Sequence, residues 1–127
     1  MKIENIKFKA KRLDGKGWVE GSLIRSTAGI KERAYIVDSF SSMSDYSVIG
    51  VDPSTVCQFT GLKDKNGTPI YEGDIIDFGG EGEVVFKDGA FNVKFGKYTE
   101  CLLCNLVKSG QPVTIVNNKF DRKEGKE

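Results

Sequence analysis

The sequence contains no histidine at all, and that absence removes a large part of enzyme chemistry. Histidine is the usual general base near neutral pH and the commonest zinc ligand, so Ser-His and Cys-His catalytic pairs fall with it, as do most hydrolase mechanisms. Cysteines number only three in 127 residues. A chain of that length buries roughly two thirds of its unfolded surface and needs no covalent staples. An odd set of thiols then points to a reducing compartment. No apolar N-terminal run of the signal-peptide kind is present, which fits a cytoplasmic protein. Long hydrophobic runs are missing too: the clusters Ile75-Ile76 and Val84-Val85-Phe86 are far too short to cross a bilayer, so no membrane contact is expected. No segment carries the 3.6-residue apolar stripe of a long helix, and there is no internal repeat.

Charge is nearly balanced overall, at net +1, but not along the chain. Residues 1 to 16 hold six basic and two acidic groups, net +4, whereas residues 38 to 89 hold three basic and ten acidic groups, net −7. An acidic middle repels a polyanion, so nucleic acid has one landing place only, the basic N-terminal segment.

What the sequence does have is alternation. Ile6, Phe8 and Ala10 alternate with Lys7, Lys9 and Lys11, the period of two of a half-buried strand. Asp14-Gly15-Lys16-Gly17 supplies a turn into a second strand, Trp18 to Ile24, and the pair reads as a β-hairpin. Arg33 to Asp38 is rich in β-formers, the Ser-rich run Ser39 to Ser47 reads as an exposed loop, and Val48 to Val51 is a short strand closed by Asp52-Pro53-Ser54. Thr55 to Phe59 resumes the strand pattern. Asp64-Lys65-Asn66-Gly67 ends in Asn-Gly, which predicts a type I′ hairpin turn with positive φ at both residues. Asp74 to Phe78, Glu83 to Phe86 and Phe91 to Phe95 are short strands separated by Gly79-Gly80-Glu81-Gly82 and Asp88-Gly89-Ala90. Glycine corners between such strands suit a small, bent barrel. Leu102 to Val107 either extends the sheet or makes a helical turn, and Val113 to Val116 is a last strand. The tail from Asp121 has no apolar residue to bury and is expected to be disordered. The fold class is all-β: an N-terminal β-hairpin and strand region over 1–59, a small barrel over 60–120 and a tail over 121–127.

Candidate chemistry is thin. Cys101-Leu102-Leu103-Cys104 has zinc-knuckle spacing, but a tetrahedral site needs four ligands and only Cys57 remains. In an extended segment residues three apart point to opposite faces, so the thiols read as small hydrophobes and no metal is expected. Gly79-Gly80-Glu81-Gly82 precedes a strand and carries glutamate, unlike a phosphate-cradling loop, which opens a helix. Glu72, Asp74 and Asp77 could pair as acid and base or hold a divalent cation. Their spacing fits a turn at Gly73 better, with Asp74 on backbone amides and Asp77 in solvent. The aromatics fall mostly at alternate strand positions and read as core. A nucleic-acid platform would need them exposed beside cations, as with Trp18 near Lys16 or Tyr98 beside Lys97.

Thr60-Gly61-Leu62-Lys63-Asp64-Lys65-Asn66-Gly67, followed by Ile70-Tyr71-Glu72-Gly73-Asp74-Ile75-Ile76, resembles the YopX family of phage and prophage proteins. Ile6 to Arg12, Trp18-Val19-Glu20-Gly21, Asp52 to Val56 and the Asp88-Gly89-Ala90-Phe91 turn extend the resemblance from residue 6 to about 120. It implies an all-β architecture whose C-terminal part is an SH3-type barrel, oligomeric assembly, and a bacterial host cell. It implies no reaction and offers no catalytic or ligand residues to carry over. The chain departs from the family's usual ending, a Gly-Asn pair, by placing Val116-Asn117-Asn118 there.

The expectation is a non-enzymatic accessory protein, without catalytic, cofactor or metal residues, that self-associates and binds a host or phage macromolecule. Partner contacts are expected at Lys7, Lys9, Lys11 and Arg12 on the first strand and at Lys63, Asp64 and Lys65 on the exposed loop. Pairing of the basic first strand with the acidic half of another copy is a physical route to the oligomer. The rival classes are a nucleic-acid-binding module that uses the basic strand, and a sponge for a small nucleotide held between subunits.

Overall fold

A computed structural model describes residues 2–29, 31–38, 47–96 and 99–122. Among the described residues the architecture is all-β with antiparallel pairing, two 3-10 turns and one short α-helix. The chain divides into two compact units, Met1–Phe59 and Thr60–Glu127. Among the described residues no helix is long and apolar enough to cross a membrane.

The first unit contains strands β1 (Phe8–Lys11), β2 (Trp18–Ser26), β3 (Arg33–Asp38), β4 (Ser47–Val51) and the start of β5 (Cys57–Lys63). Consecutive strands pair as antiparallel neighbours from β1 to β4, and β5 returns to the free side of β1, where Lys9 opposes Cys57. The alternation works as the sequence dictates. Ala10, Val19, Ala34, Ile36 and Val51 face one side and form a buried core, with Phe8, Leu23, Ile49 and Val56 packed against it. Lys7 precedes β1 and, with Lys9 and Lys11, lies on the opposite face.

The N-terminal hairpin turns where expected, with the Arg12 amide donating to the Gly17 carbonyl at 2.8 Å and positive φ at Gly15 and Gly17. An antiparallel bridge between Arg12 and Val51 ties the end of β1 to β4. The Leu13 amide reinforces it by donating to the Gly50 carbonyl, and the Asp52 amide by donating to that of Lys11. Several boundaries shift: β1 begins only at Phe8, leaving Ile6 48% exposed outside it, and β2 runs on to Ser26. β5 begins at Cys57 because Pro53–Thr55 forms a 3-10 turn capped by the Asp52 carboxylate. Residues 39–46 of the expected serine loop lie outside the described residues, and Ser47 opens β4.

The second unit holds the remainder of β5, then β6 (Pro69–Tyr71), β7 (Asp74–Asp77), β8 (Glu81–Lys87), β9 (Ala90–Phe95), β10 (Thr99–Leu102), α1 (Leu103–Lys108) and β11 (Thr114–Asn118). β6 pairs with β5, and the other five strands form a sheet in the order β10-β9-β8-β7-β11. Its core is Ile70, Ile76, Val84, Val93, Leu103 and Val113, with Phe78 set edge-on to Phe95 at a centroid distance of 5.2 Å. Leu102 to Val107, which could have been strand or helix, is split between the end of β10 and α1, whose Leu103 is fully buried. No ladder joins the outermost strands β10 and β11 among the described residues, so backbone pairing leaves this sheet open.

Two turns differ from expectation in a way that side chains explain. Asn66 is not among the residues with positive φ; Gly67 alone has it, at 81°. The Asp64 carboxylate accepts from the Asn66 and Thr68 amides, and the Gly67 amide donates to the Asp64 carbonyl, which makes a type I turn with aspartate first and glycine last. The two-residue positive-φ turn falls at Asp88 (54°) and Gly89 (80°) instead, between the paired Lys87 and Ala90. The glycine corner after β7 ends at Gly80. Gly82 lies inside β8 opposite Ile76, where a Cβ would come within 2.6 Å of Val93.

The expectation of a disordered tail concerns mostly residues outside the described set. Asp121 and Arg122 are described: the Asp121 amide donates to the Asn118 carbonyl, and the Arg122 guanidinium meets Glu81 at 3.3 Å.

Candidate functional site

The cationic face of the first strand is the clearest surface feature that the sequence points to. Its lysines do not stand free over it. Lys7 Nζ sits 4.7 Å above the ring of Phe59, and Lys9 and Lys11 lie 4.7 and 5.6 Å above that of Trp18. The ammonium groups meet the negative ring faces while the aliphatic stems cover them. Phe59 is 4% exposed, so its ring has no face left on which a base could stack. Glu20 is directly opposite Lys9, which places a carboxylate within the row. Arg12 grips Asp14 with its Nε and Nη2, the closest contact being 2.7 Å. The hydrogen bond from Arg12, joined by the Lys16 amide, holds the Asp14 carboxyl below its usual range, and the same pair raises Arg12. Arg12 is therefore a turn-stabilising residue, and the basic stretch is weaker as an anion site than its charge count implies.

In the second candidate cluster, Lys63 and Lys65 are exposed, but Asp64, expected at the surface, is buried. Burial alone would raise its carboxyl, yet amide donation from Thr68, Ile115 and Asn66 outweighs it and the group is held low. The distances are 2.9 Å from Asn66, 2.9 Å from Thr68 and 3.2 Å from Ile115. The Lys65 amide adds a bond to the Val113 carbonyl. Asp64 thus fastens the β5–β6 turn to the start of β11, and this loop is a joint of the fold.

The three other carboxylates behave as turn chemistry requires. Asp74, 2% exposed, accepts from the Tyr71 amide at 2.8 Å and from the Asn118 side chain at 3.0 Å. Asp77 is exposed and accepts from the Gly79 amide, and Glu72 is half-buried. Cys57 is buried and donates to the Thr55 carbonyl; burial pushes the Cys101 thiol up. Among the described residues no three cysteine or carboxylate side chains gather as a metal site would require.

Folding also offsets part of the charge asymmetry. Glu83 pairs with Lys119, Glu81 with Arg122 and Glu100 with Lys87, while Asp52, Asp64 and Asp74 bond backbone or neighbouring side chains. Among the described residues of the acidic stretch, Asp77 and Asp88 stay exposed. One feature has no signal in the sequence: a surface hollow of about 490 Å³ in the first unit, beside Lys31, Arg33, Tyr35 and Leu13. Its walls come from three segments far apart in the chain, so no spacing rule could find it.

A search of curated proteins finds no match. The family model of the YopX protein matches residues 7–126, nearly the whole chain, including the first strand, the Asp64 turn and the five-stranded sheet. The protein belongs to the YopX family.

Proposed function

We propose that this is a non-enzymatic binding protein of bacteriophage or prophage origin that self-associates and engages a host or phage macromolecule in the bacterial cytoplasm. The observation that supports self-association is the state of the sheet edges. Three outermost strands each carry an exposed aliphatic side chain: Val48 on β4, away from the end that Arg12 bridges to β1, is 52% exposed, Leu102 on β10 is 40% and Val116 on β11 is 48%. None of these strands contains lysine or proline, the usual guards of a free edge. Light scattering coupled to size-exclusion chromatography tests this reading. The expected mass exceeds that of one chain, and the triple substitution Val48→Lys, Leu102→Lys and Val116→Lys weakens association about tenfold, equivalent to about 1.4 kcal/mol. A monomer at every concentration would overturn it.

The second unit is read as a barrel of the SH3 type. What supports this is its strand order, in which β11 returns beside β7, the first of the five, after a helical turn. The buried core along one face of that sheet is consistent with the same reading.

A further inference from the structure

The hollow in the first unit brings exposed apolar groups beside cations that make no ion pair among the described residues. Ala34 and Val51, paired across β3 and β4, border it at only 6% and 1% exposure because their side chains turn into the core. Leu13, at 70% exposure, stands at its lip, with the half-buried Tyr35 and the exposed Pro53 completing the wall. An exposed leucine beside an aromatic ring over a concave surface is costly in water and suits an apolar guest. Two cations, Lys31 and Arg33, border the same space, and neither makes an ion pair among the described residues.

The two carboxylates of the lining are already engaged. Glu32 accepts from Arg25 at 2.8 Å, and Asp52 Oδ1 accepts from both the amide and the hydroxyl of Ser54. Lys31 and Arg33 are thus the charged groups of the lining left to meet a guest. A volume of about 490 Å³ admits a body the size of one ring with its substituent.

We propose that this hollow binds a small organic anion, a flat or branched apolar body carrying one phosphate or carboxylate, with Arg33 and Lys31 on the anion and Leu13 and Tyr35 on the body. Arg33 offers a planar fork suited to either oxyanion, and Lys31 a second point charge. The site shares β4 with the edge strands invoked for self-association through Val51, but Val48, Leu102 and Val116 lie outside its lining, so either reading can fail alone.

The test is an amide-shift titration of the ¹⁵N-labelled full chain with phenyl phosphate, benzoate, inorganic phosphate and benzyl alcohol. Saturable shifts at Leu13, Arg33 and Tyr35 with phenyl phosphate or benzoate are expected, about tenfold tighter than with inorganic phosphate or benzyl alcohol. Preference between the first two assigns the anion as phosphate or carboxylate. Arg33→Gln with Lys31→Gln, and separately Leu13→Ser, each weaken binding about tenfold while the spectrum elsewhere stays unchanged. No saturable shift with either aryl anion up to about 10 mM would overturn the site. So would inorganic phosphate binding as tightly as phenyl phosphate, or full affinity in the double variant.

Discussion

Asp64→Ala lowers stability by about 3–4 kcal/mol, seen as a fall of about 10–20 °C in Tm or an equivalent loss in urea. The carboxylate accepts from three backbone amides on two segments of chain, and alanine leaves them without that acceptor in a partly buried place. Asp64→Asn discriminates the bonds. Its oxygen can keep the Asn66 and Thr68 amides, but its NH₂ then faces the Ile115 amide, donor against donor. Its cost is smaller, about 2 kcal/mol, and falls chiefly on the start of β11.

Acid gives the same information without mutation. The folded carboxyl of Asp64 lies below its ordinary value, so its contribution is complete above the unfolded pKa of about 3.9 and is lost as pH falls through the folded pKa. The wild-type chain therefore loses stability below about pH 4, and Asp64→Asn flattens that part of the curve. Equal pH dependence in the two proteins would remove Asp64 as its source.

Gly21→Ala has the second large effect, a loss of about 3 kcal/mol measured by urea denaturation. Gly21 faces Phe8 of β1, while its neighbour Ser22 faces Val37 of β3, so β2 changes partner at this residue. A Cβ there would run into the Val37 carbonyl oxygen and lie 3.1 Å from the Ile36 side chain. The obstacle is backbone and cannot rotate away, so β2 and β3 must part. Gly80→Ala is the control: its Cβ meets nothing within 4 Å and its φ is not positive, so the change stays within about 0.5 kcal/mol. Similar losses in the two variants would mean that glycine entropy, and not the tight passage at Gly21, governs the result.

The strands were legible because their alternation is strong: Phe8 and Ala10 point inward, and Lys7, Lys9 and Lys11 outward, as the period of two requires. The Asp74 and Asp77 roles were legible for a similar reason, since a carboxylate beside Gly73 has nearby amides to bond. Tertiary effects were not. Asp64 looked like a surface residue between two lysines, but its third amide comes from Ile115, 51 residues away. Gly82 read as turn because glycine usually marks one, whereas its missing Cβ makes room for Val93. The lysine row read as an open cationic face because a single strand does not reveal that Trp18 and Phe59 lie beneath it. Net charge misled for the same reason, since Lys119 and Arg122 from the far end of the chain neutralise Glu83 and Glu81.

The place of β5 beside β1 sets an order of events during synthesis. The ladders from β1 to β4 join neighbours in sequence and can zip as the chain leaves the ribosome. The second side of β1 must wait, because Lys11 bonds Thr55 across 44 residues and the β5 ladder begins just beyond. Throughout that delay a half-finished sheet exposes an unpaired border. Lysines 7, 9 and 11 lie along that border, and charge of one sign is a usual guard of an unpaired strand edge.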